Sequence, residues 1–370
     1  MKTYRVGFVG CGGIANNKHF PAQKRMGERV SMQAFCDIIP ERAEKAAREY
    51  GAEGARVYTD YREMLEKENL DIVHVLTPNK SHCEITVAAL EAGCHVMCEK
   101  PMAATSADAE KMLEAARRTG KKLTIGYQNR FRPDAIYLKR ACANGDLGEI
   151  YYAKARNIRR RGVPTWGVFL DAEAQGGGPL IDIGTHALDL TLYMMNNYEV
   201  HSVTGTSYRK LADQVPESGN GFGDWDPKVF TVEDSAFGFV IMKNGATVLV
   251  ESSWALNTMN CTPLGPRTEL CGTGGGADME NGLRFNFVRY GKLTEEKPAL
   301  AGVGVDFFDA RSELQPHELE AQKWLDAIDQ DTEPVTKPEE ALMVTRILEA
   351  IYESARTGKT IYFDQEGNKE

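Results

Sequence analysis

The sequence lacks any apolar run long enough to cross a membrane. A membrane-spanning helix needs about 20 consecutive apolar residues, and no stretch of the 370 residues approaches that length. The predicted first strand begins at Arg5, which leaves no room for a signal peptide before it. We therefore expect a cytoplasmic protein.

Basic residues are also outnumbered. The chain has 44 lysines and arginines against 53 aspartates and glutamates, a formal net charge of −9. Proteins that bind nucleic acid or anionic membranes usually present a basic face. The composition therefore argues against both kinds of partner.

Paired cysteine motifs are absent as well. None of the eight cysteines forms a C-x-x-C pair, and Cys94 and Cys98, in or beside an apolar strand, have no second pair that could complete a zinc site. We interpret the eight cysteines as buried, reduced thiols. We expect no metal site.

What the sequence does have is a glycine-rich turn near its start. Arg5–Val9 is a short, largely apolar run, typical of a strand buried on both faces. The stretch from Gly10 to Ala15 then fits the pattern G-x-G-x-x-A. Small residues here permit a tight turn, close approach of a pyrophosphate, and packing of a helix whose first amides face phosphate groups. The pattern alone is weak, but it predicts a dinucleotide site formed by Gly10, Gly12, Gly13 and Ile14.

An acidic residue ends the second predicted strand. This strand is Val30–Cys36, and Asp37 follows it directly. A carboxylate in this position accepts hydrogen bonds from the ribose hydroxyls and repels a 2′-phosphate, so the sequence favours NAD over NADP. The alternative is that Asp37 caps a helix, because Pro40 and Glu41 open one shortly afterwards.

Predicted strands and helices alternate as far as about residue 128. This rhythm predicts an α/β fold with a parallel, doubly wound sheet, in which ligands bind beyond the carboxyl ends of the strands. We assign residues 1–126 to this NAD-binding Rossmann domain. Residues at or just beyond predicted strand ends are Gly10, Asp37, Thr77, Glu99, Lys100 and Gln128.

The rest of the chain, residues 127–370, is predicted to form a second, α+β domain. Strand-like runs between residues 200 and 290, joined by short turns, indicate an open, mainly antiparallel sheet. Two helices, Pro316–Asp329 and Pro338–Arg356, follow. We expect Leu211–Lys228 to be a long surface loop. Gly272–Gly276 looks like a phosphate loop, but no helix follows it, and we interpret it as a β-turn.

Three polar residues could carry chemistry. Lys100 follows a strand end, where a buried lysine can polarise a substrate oxygen, although such a lysine is more often a surface cation. Asp182 and His186 are four residues apart and share a helix face if the helix begins by Asp182. A carboxylate that orients an imidazole suits a proton acceptor near neutral pH. The alternatives are a helix cap and a core histidine, and we interpret Asp189 as structural.

Four motifs in the same order resemble those of the Gfo/Idh/MocA family. They are Gly10–Ala15, Thr77-Pro78-Asn79-x-x-His82, Glu99-Lys100-Pro101 and the stretch Gly176–Asp189. The resemblance covers essentially the whole chain. It implies an NAD(P)-dependent oxidoreductase of sugars, inositols or related polyols, with a second domain whose open sheet commonly mediates homodimers or homotetramers.

The resemblance also implies roles for individual residues. The implied catalytic group, which would also contact the substrate, is Lys100, Asp182 and His186. The implied cofactor contacts are Thr77, Pro78, Asn79, His82, Glu99, Lys100 and Gln128. In the mechanism we hypothesise, His186 takes the proton of a ring hydroxyl while Lys100 stabilises the charge on that oxygen. Asp182 orients the substrate and the imidazole as hydride passes to NAD.

The segment Arg159–Gly167, RRRGVPTWG, is the candidate for substrate choice. Trp166 could stack on an apolar sugar face and Arg159 could bind hydroxyls or a carboxylate; the alternative is a basic surface loop with a packed tryptophan. Family members with a similar stretch resemble dehydrogenases of glucosides or other hexose derivatives, with oxidation at C3. Other candidate functions are an inositol dehydrogenase, a glycosidase that uses NAD for transient oxidation and elimination, and an NAD-responsive regulator.

Overall fold

The computed structural model describes residues 2–214, 219–261, 265–300 and 314–369. The first six strands, β1 to β6, are Tyr4–Val9, Val30–Cys36, Arg56–Tyr58, Ile72–Val75, His95–Cys98 and Leu123–Ile125. The first five α-helices, α1 to α5, are Phe20–Arg25, Pro40–Tyr50, Tyr61–Lys67, His82–Glu91 and Ser106–Thr119.

The same alternation does not continue in the second half. Strands β7 to β15 are Ile150–Ile158, Val200–Tyr208, Ser235–Met242, Thr247–Ser253, Arg267–Gly272, Gly276–Asp278, Arg284–Arg289, Lys292–Glu296 and Ile361–Tyr362. Helices α6 to α10 are Pro133–Ala143, Ala172–Gln175, Thr185–Met195, Pro316–Asp329 and Pro338–Thr357. No helix in the described ranges is long and apolar enough to span a membrane.

Strands β1 to β6 form one six-stranded sheet in the order β3-β2-β1-β4-β5-β6. Every neighbouring pair is parallel. Parallel neighbours require crossover connections, and α1, α2, α4 and α5 supply them between neighbouring strands that follow one another in the sequence. The predicted doubly wound α/β fold is confirmed. Side chains of the sheet, including Val6, Phe8 and Ile72, form a core of buried apolar residues with side chains of α1 and α2.

The chain divides into two compact units, and each unit consists of two separate segments of the sequence. One unit comprises Met1–Gln128 with Ser312–Leu342, and the other comprises Asn129–Arg311 with Met343–Glu370. The sequence-based division counts the segment that holds α9 with the second domain. In the structure α9 belongs to the first unit, because Leu325 is part of the core of that unit and Asp326 accepts a hydrogen bond of 2.9 Å from Arg29.

The second unit is built on a nine-stranded sheet in the order β14-β13-β12-β11-β7-β10-β9-β8-β15. All neighbouring pairs are antiparallel except β7 and β10 at its centre. The predicted mainly antiparallel sheet is confirmed, and its parallel pair reflects the long connection between β7 and β10, which contains α8. Gly272–Gly276 joins β11 to the antiparallel strand β12, as expected for a turn.

Part of the expected surface loop Leu211–Lys228 is core instead. Residues 215–218 of this loop lie outside the described part of the chain. On either side of them, Ala212 and Trp225 are buried in a cluster with Trp254, and the Trp225 indole N–H donates to the Ala212 carbonyl oxygen at 2.8 Å. The loop looked polar because its few apolar residues are widely spaced in the sequence.

Candidate active site

Gly10 turns the chain from the carboxyl end of β1 into the glycine loop. Its φ of +96° lies in the region that favours glycine. A Cβ at this position would lie 2.6 Å from the carbonyl oxygen of Leu76, which follows β4. Both the backbone conformation and the available space therefore require glycine at this position.

The next two glycines leave room for a ligand. A Cβ at Gly12 or Gly13 would meet no atom within 4 Å. The helix begins at Gly13 and runs through a π-helical segment, Ala15–His19, into α1, as the sequence predicted. Because the first amides of a helix have no partner within it, they suit a phosphate group. The open turn thus fits the pyrophosphate of NAD, with Gly13 and Ile14 exposed beside it.

Asp37 holds this turn in place. Its Oδ2 accepts a hydrogen bond from the main-chain N–H of Cys11 at 2.8 Å, and its Oδ1 accepts one from Ile39 at 2.9 Å. The second bond leads the chain towards α2, whose N-cap position is Ile39 rather than Asp37. A carboxylate oxygen accepts more than one hydrogen bond, so both oxygens retain capacity for ribose hydroxyls.

His82 joins two of the loops that follow the parallel strands. It is fully buried at the start of α4. Its ring nitrogens lie 2.9 Å from the carbonyl oxygens of Thr77 and Pro101, and burial lowers the pKa of the ring. Because both nitrogens face main-chain carbonyls, His82 positions these loops and presents no free polar ring atom to a cofactor.

The carboxylate of Glu99 lies in a buried ionic network. Its Oε1 accepts hydrogen bonds from Lys18 Nζ at 2.7 Å and from His19 Nε2 at 2.8 Å, and its Oε2 accepts one from the main-chain N–H of Lys100 at 3.1 Å. Burial raises the pKa of Glu99, but Lys18 and His19 outweigh burial and hold it well below its usual range. The ionised carboxylate therefore fixes the backbone that carries Lys100.

Lys18 connects the network to two further parts of the first unit. Its Nζ lies 3.0 Å from Glu320 on α9 and donates to Gln128 Oε1 at 3.2 Å. Burial lowers the pKa of Lys18, but Glu320 and Glu99 raise it by more, so the ammonium group stays charged. Among the described residues of the first unit, Lys18 thus links the helix after the glycine turn to Glu99 and Gln128.

The helix that carries Asp182 and His186 begins at Pro179 and is wound as a π-helix over Leu180–Gly184 before α8. A wide turn frees main-chain carbonyls, and side chains of the central strands bind them. Asn157 on β7 donates to the carbonyl oxygen of Ile183 at 3.2 Å, and Ser252 on β10 donates to that of Pro179 at 2.7 Å. π-helical turns are rare and are frequent at functional sites.

Glu233 anchors the chain just before this helix. Its carboxylate accepts hydrogen bonds from the main-chain N–H groups of Gly178 at 2.8 Å and Leu180 at 3.1 Å, and from the Tyr352 hydroxyl at 2.7 Å. A Cβ at Gly177 would clash with the Tyr352 hydroxyl oxygen. Burial raises the pKa of Glu233. Gly177 and Gly178 therefore allow a close approach of Tyr352 and Glu233 that fixes the start of the helix.

Asp182 and His186 each have a partner that the sequence did not suggest. Trp254 is fully buried, and its indole N–H donates to Asp182 Oδ2 at 3.1 Å. The side-chain amide of Asn129 lies 3.2 Å from Nδ1 of His186. The amide nitrogen faces the ring, and a half-turn of the amide exchanges its nitrogen and oxygen. With the oxygen towards the ring, Nδ1 carries the proton and Nε2 has the lone pair that can accept one.

Arg159 belongs to the second unit and interacts electrostatically with Asp182. It is partly buried after β7, and one of its guanidinium nitrogens donates to the carbonyl oxygen of Gly162 at 3.0 Å. Burial lowers the pKa of Arg159 while the charge of Asp182 raises it, so the two side chains act on each other. Trp166, by contrast, is 53% exposed.

Asp189 has a structural role, as expected. It forms a fully buried ion pair with Arg130, whose Nη2 lies 2.6 Å from Asp189 Oδ1. The pair ties the chain after β6 to α8. Asn129 is held beside this pair, since it precedes Arg130 directly in the sequence.

The structure gathers the predicted residues in two sets. The first unit holds the proposed cofactor residues around the glycine turn and the strand ends, together with Lys100. The second unit holds Asp182, His186, Arg159 and Trp166. Residues that sequence reasoning missed are Lys18, Asn129, Glu233 and Trp254. Only Asn129 carried a signal, since it lies next to Gln128, which the resemblance singled out.

The strand order of the first sheet and the glycine turn after β1 define a class of protein. They are those of a Rossmann domain, in which the pyrophosphate binds at the start of the helix that follows the first strand. The chain is therefore a dinucleotide-binding protein of the Rossmann class that carries a second, separate α/β unit.

Comparison with known proteins identifies the family. The model of the Gfo/Idh/MocA oxidoreductase family with an NAD-binding Rossmann fold matches residues 4–127. The model of the family's C-terminal alpha/beta domain matches residues 139–363. The chain therefore belongs to the Gfo/Idh/MocA oxidoreductase family, and it is an NAD-dependent dehydrogenase that acts on CH–OH groups.

Individual relatives agree with this assignment. The chain is 42% identical over 275 residues to a D-glucoside 3-dehydrogenase of Escherichia coli. The matched region covers 74% of this chain and 76% of that protein. The crystal structure of an aldose-aldose oxidoreductase from Caulobacter crescentus is 25% identical, covers 98% of this chain and 100% of its own, and has a TM-score of 0.77. A levoglucosan dehydrogenase solved with NADH and L-sorbose shares the fold, at 22% identity over 99% of this chain and 100% of its own, with a TM-score of 0.81.

Proposed function

We propose that this dehydrogenase oxidises a ring hydroxyl of a D-glucoside, at position 3, with NAD as the acceptor. The observation that carries the proposal is the 42% identity to the D-glucoside 3-dehydrogenase over about three quarters of both chains. The geometry of the second unit supports it, because Asp182, His186 and Arg159 offer the hydrogen-bonding groups that a polyhydroxylated ring needs. The reverse reduction uses the same groups.

His186 is the proposed general base. The Nε2 atom takes the proton of the reacting hydroxyl when Nδ1–H donates to the Asn129 amide oxygen. Because the ring is 8% exposed and Asn129 holds it from one side, its orientation is set before substrate binds. A positioned base of this kind contributes about 10²- to 10⁴-fold to the rate.

Lys100 and Asp182 are the proposed partners of this base. The ammonium group of Lys100 donates to the same substrate oxygen and stabilises the negative charge that develops there. Asp182, with Oδ2 held by Trp254, orients the substrate by accepting a hydrogen bond from a neighbouring hydroxyl. NAD, when bound, supplies the hydride acceptor.

The proposed cofactor residues fall into groups according to the part of NAD that each would contact. Gly10, Gly12, Gly13 and Ile14 surround the phosphate cradle, and Asp37 offers carboxylate oxygens to the ribose. The remaining proposed contacts, supported by their places beyond β4, β5 and β6, are Thr77, Pro78, Asn79, Glu99, Lys100 and Gln128. His82, which the resemblance also implied as a cofactor contact, instead joins two of these loops through its ring nitrogens.

Replacing Asp37 should relax the choice between NAD and NADP. Asp37→Ala removes two charged acceptors for the ribose, and a hydrogen bond to a charged group contributes about 1.5–3 kcal/mol, so KM for NAD should rise roughly 10- to 100-fold. Asp37→Asn keeps one oxygen acceptor for the Cys11 N–H, removes the charge and turns the other acceptor into an N–H donor. In both variants the ratio of kcat/KM for NADP to that for NAD should increase. An unchanged ratio in both would contradict the role of Asp37.

A substrate panel tests the function itself. NADH absorbance is followed with D-glucosides, free hexoses, inositols and other polyols, with NAD and NADP run in parallel. Oxidation of glucosides with NAD is expected. Preference for inositols would favour an inositol dehydrogenase, and release of aglycone without net NADH would favour the redox-elimination glycosidase. If no member of the panel is oxidised while NAD binds, the regulator is favoured and the proposal is rejected.

We also propose that the protein is cytoplasmic and forms homodimers or homotetramers. All eight cysteines fall within the described residues and none is in a disulfide, in keeping with a reducing compartment. One face of the second sheet carries an apolar group: Phe239 is 47% exposed, pairs with Leu249 on β10, and follows Phe237, whose ring lies 6.1 Å from that of Tyr208. An apolar face of this kind fits a second copy of the same chain.

A further inference from the structure

Two aromatic rings are presented together at the surface of the second unit. The rings of Trp166 and Phe222 lie 4.9 Å apart between centroids at an interplanar angle of 83°. Trp166 is 53% exposed and Phe222 is 48% exposed. We call this pair the aromatic corner. Single exposed apolar residues are common on proteins, but two perpendicular rings in contact offer a face and an edge to a third flat group.

Main-chain and side-chain hydrogen bonds build the corner. The Asn220 amide accepts from the main-chain N–H of Val163 and donates to the carbonyl oxygen of the same residue, both at 2.9 Å. The Thr165 hydroxyl donates to the carbonyl oxygen of Phe222 at 2.6 Å. The two segments that carry the rings are therefore fastened together at two points beside the contact, so the pair is pre-organised and not the result of two independent loops.

Packed rings connect the corner to the proposed catalytic group. The centroid of Trp166 lies 5.9 Å from that of Phe169, which lies 6.4 Å from that of Trp254. The Trp254 indole N–H holds Asp182. The polar groups that suit sugar hydroxyls thus lie at the inner end of this row of rings, while the aromatic corner lies at its exposed end.

We infer that the aromatic corner binds the aglycone of the glycoside, and that an aromatic or other flat apolar aglycone is preferred. The inference rests on the proposed function. The sugar ring needs the hydrogen-bonding groups near Asp182, and the corner, beyond Phe169, is left for the group attached to it. Free hexoses and inositols have no aglycone and leave the corner empty.

The experiment compares two substrates that differ only in the aglycone. Phenyl and methyl D-glucoside of the same anomeric configuration are assayed with NAD by NADH absorbance. For the wild-type protein the phenyl glucoside should have the higher kcat/KM. In Phe222→Ala and Trp166→Ala this preference should fall roughly 2- to 10-fold, the range expected for an aromatic contact, mainly through KM of the phenyl glucoside.

Two further variants make the result decisive. Phe222→Leu keeps an apolar side chain and removes the ring, so a folded protein with a reduced phenyl preference supports the corner even if Phe222→Ala folds poorly. Tyr137→Ala removes a ring of 47% exposure, packed on Phe285, and should leave the preference unchanged. Equal losses for both glucosides in the Trp166 and Phe222 variants, or no change in the preference, would overturn the inference. Lack of activity on every sugar would instead reject the proposed function, and the inference with it.

Discussion

Replacing His186 with alanine is expected to lower kcat by about 10²- to 10⁴-fold, the usual contribution of a positioned general base. NADH binding, followed by fluorescence titration, should persist, because the proposed cofactor residues lie in the first unit and His186 lies in the second. Lys100→Ala should lower kcat as severely, since the ammonium group stabilises charge that develops only in the transition state. In both variants KM should change much less than kcat.

Matched variants separate chemistry from folding. His186→Asn keeps a polar side chain of similar size in this buried position and should be as inactive as His186→Ala. His201→Ala removes an exposed histidine from β8 and should retain wild-type kcat. Turnover near the wild-type value in His186→Ala or Lys100→Ala would exclude that residue from the mechanism.

The second large effect is expected for Lys18→Met, and it is an effect on stability. The Lys18 side chain is 7% exposed and lies within 3.0 Å of both Glu99 and Glu320. Removing one partner of a buried ionic group leaves uncompensated charge and costs about 3–5 kcal/mol. For a domain of this size that corresponds to a fall in Tm of roughly 6–20 °C, measured by thermal unfolding of the whole chain.

The loss of thermal stability in Lys18→Met should depend on pH. In the wild type Lys18 and His19 hold the pKa of Glu99 well below its unfolded value, so Glu99 stabilises the fold at pH values above about 4.5. Without Lys18, burial raises the pKa of Glu99, and the ionised carboxylate then destabilises the fold at neutral pH. The difference in Tm between wild type and Lys18→Met should therefore be largest near pH 8 and should narrow as the pH falls towards 5.

Two comparisons check the cause. Lys24→Met removes an exposed lysine from α1 and should leave Tm nearly unchanged. Adding Glu320→Gln to Lys18→Met neutralises one of the two buried carboxylates, so the double variant should be more stable than Lys18→Met alone. A pH-independent deficit, or no recovery in the double variant, would show that packing and not charge explains the loss.

The fold of the first unit follows from its sequence because its signals are local. The apolar strands, the glycine turn at Gly10 and the acidic residue after β2 occur in the order that a doubly wound sheet requires. The segment with α9 gave no such signal. Its place in the first unit depends on contacts with residues some 300 positions earlier, such as that of Asp326 with Arg29, and no local pattern records them.

In the candidate site, too, some residues could be predicted from local sequence signals and others could not. Asp182 and His186 could be proposed because they share a helix and a motif. Trp254 and Glu233 could not, because each belongs to a different strand end or loop and reaches its partner through tertiary folding. For Asp37 the sequence offered two interpretations. The structure shows a contact that neither interpretation included, the hydrogen bond from the Cys11 main-chain N–H to Asp37. The ribose contact stays a prediction.

The π-helical turn before α8 means that the exact number of residues in this helix determines where its side chains point. Within the described ranges, π-helical segments occur at Ala15–His19 and Leu180–Gly184, in the helix after the glycine turn and in the helix of Asp182 and His186. A π-helical turn spans one residue more than the α-helical turn it replaces, and one residue of an α-helix corresponds to about 100° of rotation. Deleting Asn17 from the first segment or Ile181 from the second would leave the side chains named above in the sequence and yet rotate those on one side of the turn away from their partners. A relative that keeps all the motif residues but lacks one residue in either π-helical segment would therefore present those residues in a different rotational position on the helix.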